Sequence, residues 1–362
     1  MTDDRLANAP CAREDRSIRK VSIALATYNG APFLEQQLRT ISEQTHPPHE
    51  LVVCDDCSSD DTMPLLQEFA DKAHFRVRLF RNSSQLGYAR NFRRAASLCE
   101  GDLIAFADQD DFWDEEKIAR MNICFDDPQV MLAFHNARIV DIDRIGNSQL
   151  YSGALECERL SASPFSPWHH SYGMTQVFRS DLRRFDEFWN LSLNDVADPL
   201  DIMSHDQWYF FLASLIGKVL FVDSVLVDYR QHASNSVGAN PRNTRFAQKI
   251  LGRLEHYGRQ DQRGAEAALA RATIARAIAL DHPSLKERAC WIASKYEGLA
   301  TKLERRAAAY MEHSLADRMQ AMIRSVSNGD YGDWPWGFKK ASIVRDLLFG
   351  VFLGRAYEQK WS

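Results

Sequence analysis

The chain has 362 residues, 45% of them hydrophobic, and a formal net charge of −5, which is enough apolar sequence to fill two domains or one large domain with an appendage. An acidic balance leaves no footprint for nucleic acid, despite local basic groups at Lys302, Arg305 and Arg306 and at Lys339 and Lys340. Seven scattered cysteines without paired CxxC units argue against a zinc site and fit reduced thiols in a cytoplasmic protein.

Residues 1–19 are polar and charged and read as a flexible N-terminal arm, neither a secretory signal nor an anchor. No apolar run approaches the roughly 20 residues of a membrane span. Val21 to Ala26 is a short β-rich run, followed by the loop Thr27 to Gly30 and a helical pattern through Phe33, Leu34, Leu38 and Ile41. A second strand, Glu50 to Cys54, ends in Asp55 and Asp56, and Ser58 to Thr62 caps the helix Met63 to Ala70. Val77 to Phe80 is a third strand, Gly87 to Leu98 a third helix, and Asp102 to Ala107 a fourth strand. This alternation predicts an α/β fold with a mainly parallel sheet covered by helices, whose ligands bind beyond the carboxyl ends of the strands.

Directly after the fourth strand, Asp108, Asp110 and Asp111 place three carboxylates in four positions. Such crowding is relieved by a divalent cation, although a solvated acidic turn capping the helix near Glu115 explains it too. The first strand-to-helix loop, Asn29-Gly30-Ala31-Pro32, is not G-x-G-x-x-G, and no G-x-x-x-x-G-K-[ST] occurs. A dinucleotide-binding dehydrogenase and a P-loop ATPase are therefore disfavoured, and a bound nucleotide must be held by carboxylates and a metal.

Four ordered segments, Val21–Asn29, Val53–Thr62, Gly87–Asn91 and Asp108–Trp113, resemble the successive motifs of the family-two inverting glycosyltransferases with a GT-A (Rossmann-like) fold. The likeness covers about residues 20–240. Cys57 departs from it, standing where the family usually has glycine, so the backbone of that turn is in question. The resemblance implies that Thr27, Tyr28 and Asn29 lie under the nucleotide base, and that Asp55 or Asp56 accepts a hydrogen bond from a uracil or thymine imide. It implies that Arg90 reaches the base or a phosphate. Asp108 and Asp110 form the D-x-D element, with Asp110 the direct ligand of Mg²⁺ or Mn²⁺ and Asp108 nearer the ribose.

In the second half, His205-Asp206-Gln207-Trp208 opens a helix with apolar positions Trp208, Phe211, Leu212 and Leu215. Aspartate there is a common cap, while the resemblance implies that Asp206 is the catalytic base. Strands Val219 to Val222 and Val225 to Tyr229 lead into a loop where the resemblance makes His232 a metal ligand and Arg230 a diphosphate clamp. The loop Ser171 to Gln176 would face the acceptor sugar, with Trp168, His169 and His170 able to stack on or bond a sugar ring and Asn194 to Ser204 bordering the cleft.

The expected organisation is an arm at 1–19, a GT-A domain at 20–240 divided into a nucleotide-sugar half (20–118) and an acceptor half (119–240), and a helical region at 241–362. That last region holds helical patterns at Ala265 to Ala279, Ser284 to Ala300 and Leu303 to Met319. Its aromatic and basic segment Trp334 to Lys340, with Ile343 to Leu353, suits burial, a homo-oligomer contact or a peripheral contact with the inner face of a membrane. The expected activity is metal-dependent inverting transfer of a sugar from a nucleoside-diphosphate sugar, dTDP-rhamnose or a UDP-sugar, to a lipid-linked bacterial surface glycan. A non-catalytic nucleotide-sugar or glycan-binding protein and a sugar nucleotidyltransferase are the rival readings, and Leu25 to Phe33 lacks the basic residues usual in the latter.

Overall fold

The computed structural model describes residues 19–151, 167–196, 201–232, 257–332, 338–340 and 342–352. In its first third, apolar runs become buried parallel strands: β1 (Val21–Thr27), β2 (Glu50–Asp55) and β4 (Leu103–Ala107), with β3 (Arg76–Arg81) beyond β2. Helices alternate with them. α1 (Ala31–Ser42) has Pro32 in its first turn, where a missing N–H costs nothing, and buries Leu34, Leu38 and Ile41. α2 (Thr62–Lys72) follows β2, α3 (Tyr88–Leu98) buries Ala89, Phe92, Ala95 and Ala96, and α4 (Lys117–Ile123) follows the acidic loop.

The second half extends this sheet. β6 (Val130–Val140) and β9 (Lys218–Arg230) pair in parallel, and β8 (Gln176–Arg179) lies antiparallel between β4 and β6. β5 (Phe112–Trp113) pairs antiparallel with β9, and β7 (Ser148–Gln149) with β6, giving the order β3-β2-β1-β4-β8-β6-β9-β5 with β7 to one side. Two successive antiparallel steps restore the original direction, so β1, β2, β4 and β9 all end at one edge. The two short strands expected at 219–229 are a single strand, whose register with β6 slips opposite His135 and Asn136 and so absorbs Asp223 and Ser224.

α5 (His205–Ile216) packs behind that edge. Against it lie α6 (Tyr257–Asp281) and α7 (Lys286–Met311), and one apolar cluster runs continuously from Phe106 and Phe178 through Trp208 and Leu215 to Ala268, Ile278, Ile292 and Leu303. The C-terminal helices thus share the core of the sheet. Arg288 donates to the last carbonyls of α5, from Nε to Leu215 at 2.8 Å and from Nη2 to Ser214 at 3.1 Å.

The break expected near 301 falls instead after Met311. Nothing at Thr301-Lys302 interrupts the helix, whereas Ser314 caps α8 (Leu315–Ser327) by accepting from Asp317 N at 3.0 Å. A short α9 (Ser342–Arg345) runs into a π-helical turn over Asp346–Phe352, whose buried Asp346 accepts from Arg306, Tyr310, Tyr331 and Arg345. Among the described residues no helix is long and apolar enough to cross a membrane.

Candidate active site

The loops after β1 and β2 are stitched together. Asn29 N donates to Ser58 Oγ (2.9 Å), Ser59 N donates to Asn29 Oδ1 (2.9 Å), and Gly30 N donates to Thr62 Oγ1 (2.8 Å). Asn29 and Cys57 hold φ of 47° and 66°, the left-handed region in which side chains are costly. Cys57 therefore keeps the backbone that the expected glycine would adopt, and its thiol donates to Asn82 O at 3.2 Å.

Asp55 and Asp56 frame these loops. Asp55 is fully buried and accepts from Thr27 Oγ1, Ser58 N and Ser58 Oγ, with Arg81 3.6 Å away. Asp56 is nearly so, and accepts from Asn82 Nδ2, Leu86 N and Gly87 N. Each has spent three of about four acceptor positions on the chain itself. Their visible role is to fix the loops, whereas Tyr28, 47% exposed, presents an open ring at the same edge.

Gln109, unremarked within the acidic run, clamps the first loop to the third: Oε1 accepts from Tyr28 N (2.9 Å) and Nε2 donates to Tyr28 O (3.1 Å). A Cβ on Gly30 would stand 2.3 Å from Gln109 Oε1, so this close approach requires glycine.

Behind the clamp is a buried charge cluster. Asp111 and Lys117 are fully enclosed, with Lys117 Nζ donating to Met174 O at 2.7 Å and lying 3.4 Å from the Trp113 ring centroid. Burial pushes the Asp111 carboxyl well up, reinforced by Asp110 and Asp108, and pushes the Lys117 ammonium well down against the attraction of Asp111 and Asp108. Asp108 keeps some surface on the cleft, yet burial, followed by Asp110 and Asp206, pushes its carboxyl up to about 8.

Asp110 meets His232, Oδ2 to Nε2, at 2.9 Å, and the imidazole stacks on Phe33 at 4.1 Å. Two donors on adjacent corners of an octahedron with bonds of about 2.1 Å stand about 3.0 Å apart, so the spacing of this hydrogen-bonded pair is compatible with a Mg²⁺ or Mn²⁺ ion in place of the shared proton. Among the described residues no group of three or more His, Cys, Asp or Glu converges to hold a metal. The pair would leave most of the coordination sphere to water and a phosphate, as small hard cations prefer.

Arg230, expected as a diphosphate clamp, is instead buried at 2% exposure. Its guanidinium lies 4.1 Å from the Phe112 centroid and 5.1 Å from that of Phe33, and donates to Gln36 Oε1 at 2.7 Å. It packs between the rings that back the Asp110–His232 pair, within electrostatic reach of Asp110 and Asp111.

Asp206 is the second residue of α5, and the cap is Ser204, whose N–H donates to Gln207 Oε1 at 3.1 Å in a capping box. Asp206 Oδ1 accepts from Ser204 Oγ and from Gln207 N (2.9 Å), and no hydrogen bond among the described residues goes to Oδ2. Burial alone would raise this carboxyl, but His205, His170 and these two hydrogen bonds hold it below the usual range. Burial lowers His205 itself to about 4, so at neutral pH its share of that effect vanishes and the hydrogen bonds persist. Asp206 is thus the ionised member of the pair it forms with Asp108, which carries the repulsion.

The loop 171–176 does adjoin Asp206. Gln176 Nε2 donates to Asp206 O (3.1 Å) and Ser171 O (2.8 Å), and Gly173 approaches so closely that a Cβ would stand 2.7 Å from His205 Nε2. His170 is within electrostatic reach of Asp206, but Trp168 turns to the C-terminal helices, under Arg271 at 4.7 Å, and His169 packs against Phe210. Arg90 is exposed and lines a groove outside α3 that none of the acidic-loop residues lines. Residues 197–200 and 233–238, expected beside the acceptor and metal, lie outside the described residues.

Residues 22–183 match the family model described as "Glycosyl transferase family 2". They form a family-two glycosyltransferase domain. The chain is 28% identical over 221 residues to the dTDP-rhamnosyl transferase RfbG of Shigella flexneri, covering 60% of this chain and 74% of that protein. It is 32% identical over 201 residues to the poly(ribitol-phosphate) beta-N-acetylglucosaminyltransferase TarS of Staphylococcus aureus (strain MW2), covering 55% of this chain and only 33% of TarS. The crystal structure of an N-terminal TarS fragment with UDP-GlcNAc shares the fold of this chain at a TM-score of 0.50 and 15% identity, over 86% of this chain and 93% of that one. The GT-A fold expected from the motifs is the fold observed.

Proposed function

We propose that this glycosyltransferase moves a sugar from a nucleoside-diphosphate sugar to a hydroxyl of a bacterial surface glycan, with inversion and with the help of Mg²⁺ or Mn²⁺. The observation that carries the reading is the convergence of Asp108, Asp110 and Asp206 at one sheet edge, although they come from two distant segments. The relatives' names support a donor of the dTDP-rhamnose or UDP-sugar class and a surface-glycan acceptor, which on this reading is lipid-linked.

The donor's base rests by Tyr28 in the frame built by Thr27, Asn29, Asp55 and Asp56, with Asp108 nearer the ribose. Asp110 and His232 would hold the cation, which when bound neutralises the departing diphosphate. Asp206 takes the acceptor proton at Oδ2, while Ser204 and Gln207 fix Oδ1 and with it the carboxylate plane. Its lowered pKa keeps it ionised at neutral pH, and attack from its side displaces the diphosphate in a single step. The protein acts at the inner membrane face, where Val344, Leu348 and Phe352, each about half or more exposed, offer an apolar edge near Lys339 and Lys340.

The test is release of nucleoside diphosphate from a panel of UDP-, dTDP- and GDP-sugars, with and without acceptor and divalent cation. Asp206→Asn should lower transfer by about 1,000-fold or more and leave donor affinity within about twofold. Pyrophosphate release would indicate a nucleotidyltransferase, and a fully active variant would remove Asp206 from the role.

A further inference from the structure

The groove outside α3 has a volume of about 720 Å³ and is lined by Arg90, Arg93, Arg94, Arg183 and Arg184 against only two carboxylates, Asp181 and Asp186. Asp186 faces inward, accepting from Trp208 Nε1 and Tyr209 Oη, both at 2.9 Å, besides pairing with Arg93. Asp186 also attracts Arg183, but the hydrogen bonds of Arg183 and Arg94 go to neutral groups. Arg183 donates to the carbonyls of Ala96 (3.1 Å), Ser97 (3.2 Å) and Cys99 (2.7 Å), and Arg94 donates to the side-chain amide oxygen of Asn82. Among the described residues neither Arg90 nor Arg184, both exposed, has a carboxylate partner. A fixed row of guanidinium groups with uncompensated charge matches phosphate oxygens better than any neutral ligand.

Location narrows the ligand. α3 begins at the carboxyl edge of the sheet and ends at the opposite edge, and Arg90 lies in its first turn, two residues after Tyr88. The Tyr88 ring is 6.2 Å from that of His205, the neighbour of Asp206. The groove therefore starts near the sheet edge that carries Asp206, on the side of α3 turned away from His205, and follows this helix of 11 residues, about 16 Å, towards the opposite edge. A donor's diphosphate belongs at the other side, by Asp110 and His232. We propose that this groove binds phosphate groups of the acceptor, as a polyol-phosphate chain or as the diphosphate of a lipid carrier. The inference rests on the glycosyltransferase reading, since it assigns the acceptor's place relative to Asp206.

The experiment uses the full chain and a variant, Arg184→Glu with Ser97→Glu, both exposed positions whose side chains take no part in the hydrogen bonds of the Arg183 and Arg94 guanidinium groups. Its probes are a poly(glycerol phosphate) oligomer and phosphatidylcholine vesicles containing phosphatidic acid, with donor binding measured in parallel. The native chain should bind at least one probe, weakening steeply between about 50 and about 200 mM salt, and the variant should bind it at least about tenfold more weakly at unchanged melting temperature and donor affinity. Preference for oligomer or vesicle names the source of the phosphate, and either supports the groove. Binding of neither probe by the native chain, or equal binding by the variant, overturns it. Failure of the transferase reading is separately visible, because then no nucleoside-diphosphate sugar binds or releases its diphosphate whatever the probes do.

Discussion

Asp110 and His232 are 122 positions apart in the chain, and their side chains meet at 2.9 Å where β4 and β9 end at the same sheet edge. The separation equals that of adjacent ligands on a small octahedral ion, and the stack on Phe33 holds the imidazole in place. His232→Ala should weaken Mn²⁺ binding in the presence of donor by about 10- to 100-fold, read by calorimetry or the paramagnetic resonance of free Mn²⁺. Phe33→Ala should have a smaller effect of the same sign. Unchanged affinity in His232→Ala would remove the histidine from the metal site.

Gly30 and Gln109 offer a milder lesion. The Cβ of Gly30→Ala would collide only with the far end of the Gln109 side chain, which can swing aside at the cost of its two bonds to Tyr28. A stability loss of about 1 to 2 kcal/mol is expected, since each bond is worth about 1 kcal/mol. Donor affinity should fall further than stability suggests, because Tyr28 is freed at the base position. Gln109→Ala should reproduce the phenotype, and a normal donor affinity in both would separate the clamp from donor binding.

The parallel half of the sheet was legible because its strands are short apolar runs punctuated by Gly30, Asp55 and Asp108, a pattern only a βαβ succession makes. β6 was not, since His135 and Asn136 interrupt its apolar run and are accommodated in the buried strand by hydrogen bonds, His135 Nδ1 with Asn136 O and Asn136 Nδ2 to Gln149 Oε1 and Tyr151 O. Asp110 and His232 could be nominated from separate motifs, but their contact depends on β8 entering antiparallel and β9 returning to the original direction. Arg230 and Lys117 illustrate the remaining limit. Arg230, beside a motif, reads as a ligand-binding group, and only packing shows that it lies between Phe33 and Phe112; Lys117, to which the sequence assigns no role, is sealed beneath the acidic loop.

Burial lowers both His205 and His169 to about 4, below the ordinary imidazole value near 6.5. Between these values the unfolded chain binds more protons than the folded one, so stability rises with pH through this window and is lost on acidification from about 6.5 towards 4. For fully enclosed His205 the full shift amounts to about 3 kcal/mol. His205→Leu, which retains an apolar contact with Phe92 and Phe106, should flatten the fall in denaturation midpoint between pH 7 and pH 5 relative to the native chain. An equally steep fall would place the acid sensitivity elsewhere.

Asp346 anchors the last helical turn to α7 through Arg306 Nε at 2.8 Å and Tyr310 Oη at 2.6 Å, and to the segment after α8 through Tyr331 Oη at 2.8 Å, all of them buried. Its own burial would raise the carboxyl, but Arg306, followed by the Tyr310 bond, outweighs this and holds it below the usual range. A depressed carboxyl gives stability that is complete above the unfolded value near 4 and is lost as pH falls through the lower folded value. Asp346→Asn leaves the Arg306 charge buried with, among the described residues, only Asp261 to balance it and should cost about 3 to 5 kcal/mol at pH 7. Because α7 also caps α5 through Arg288, the damage should reach the element that carries Asp206, and transfer should be lost at a lower temperature than in the native chain. Denaturation midpoints of the two proteins, well apart at pH 7, should begin to draw closer as pH falls below about 4; a gap of constant size down to about pH 3 would mean that the loss is one of packing and not of charge.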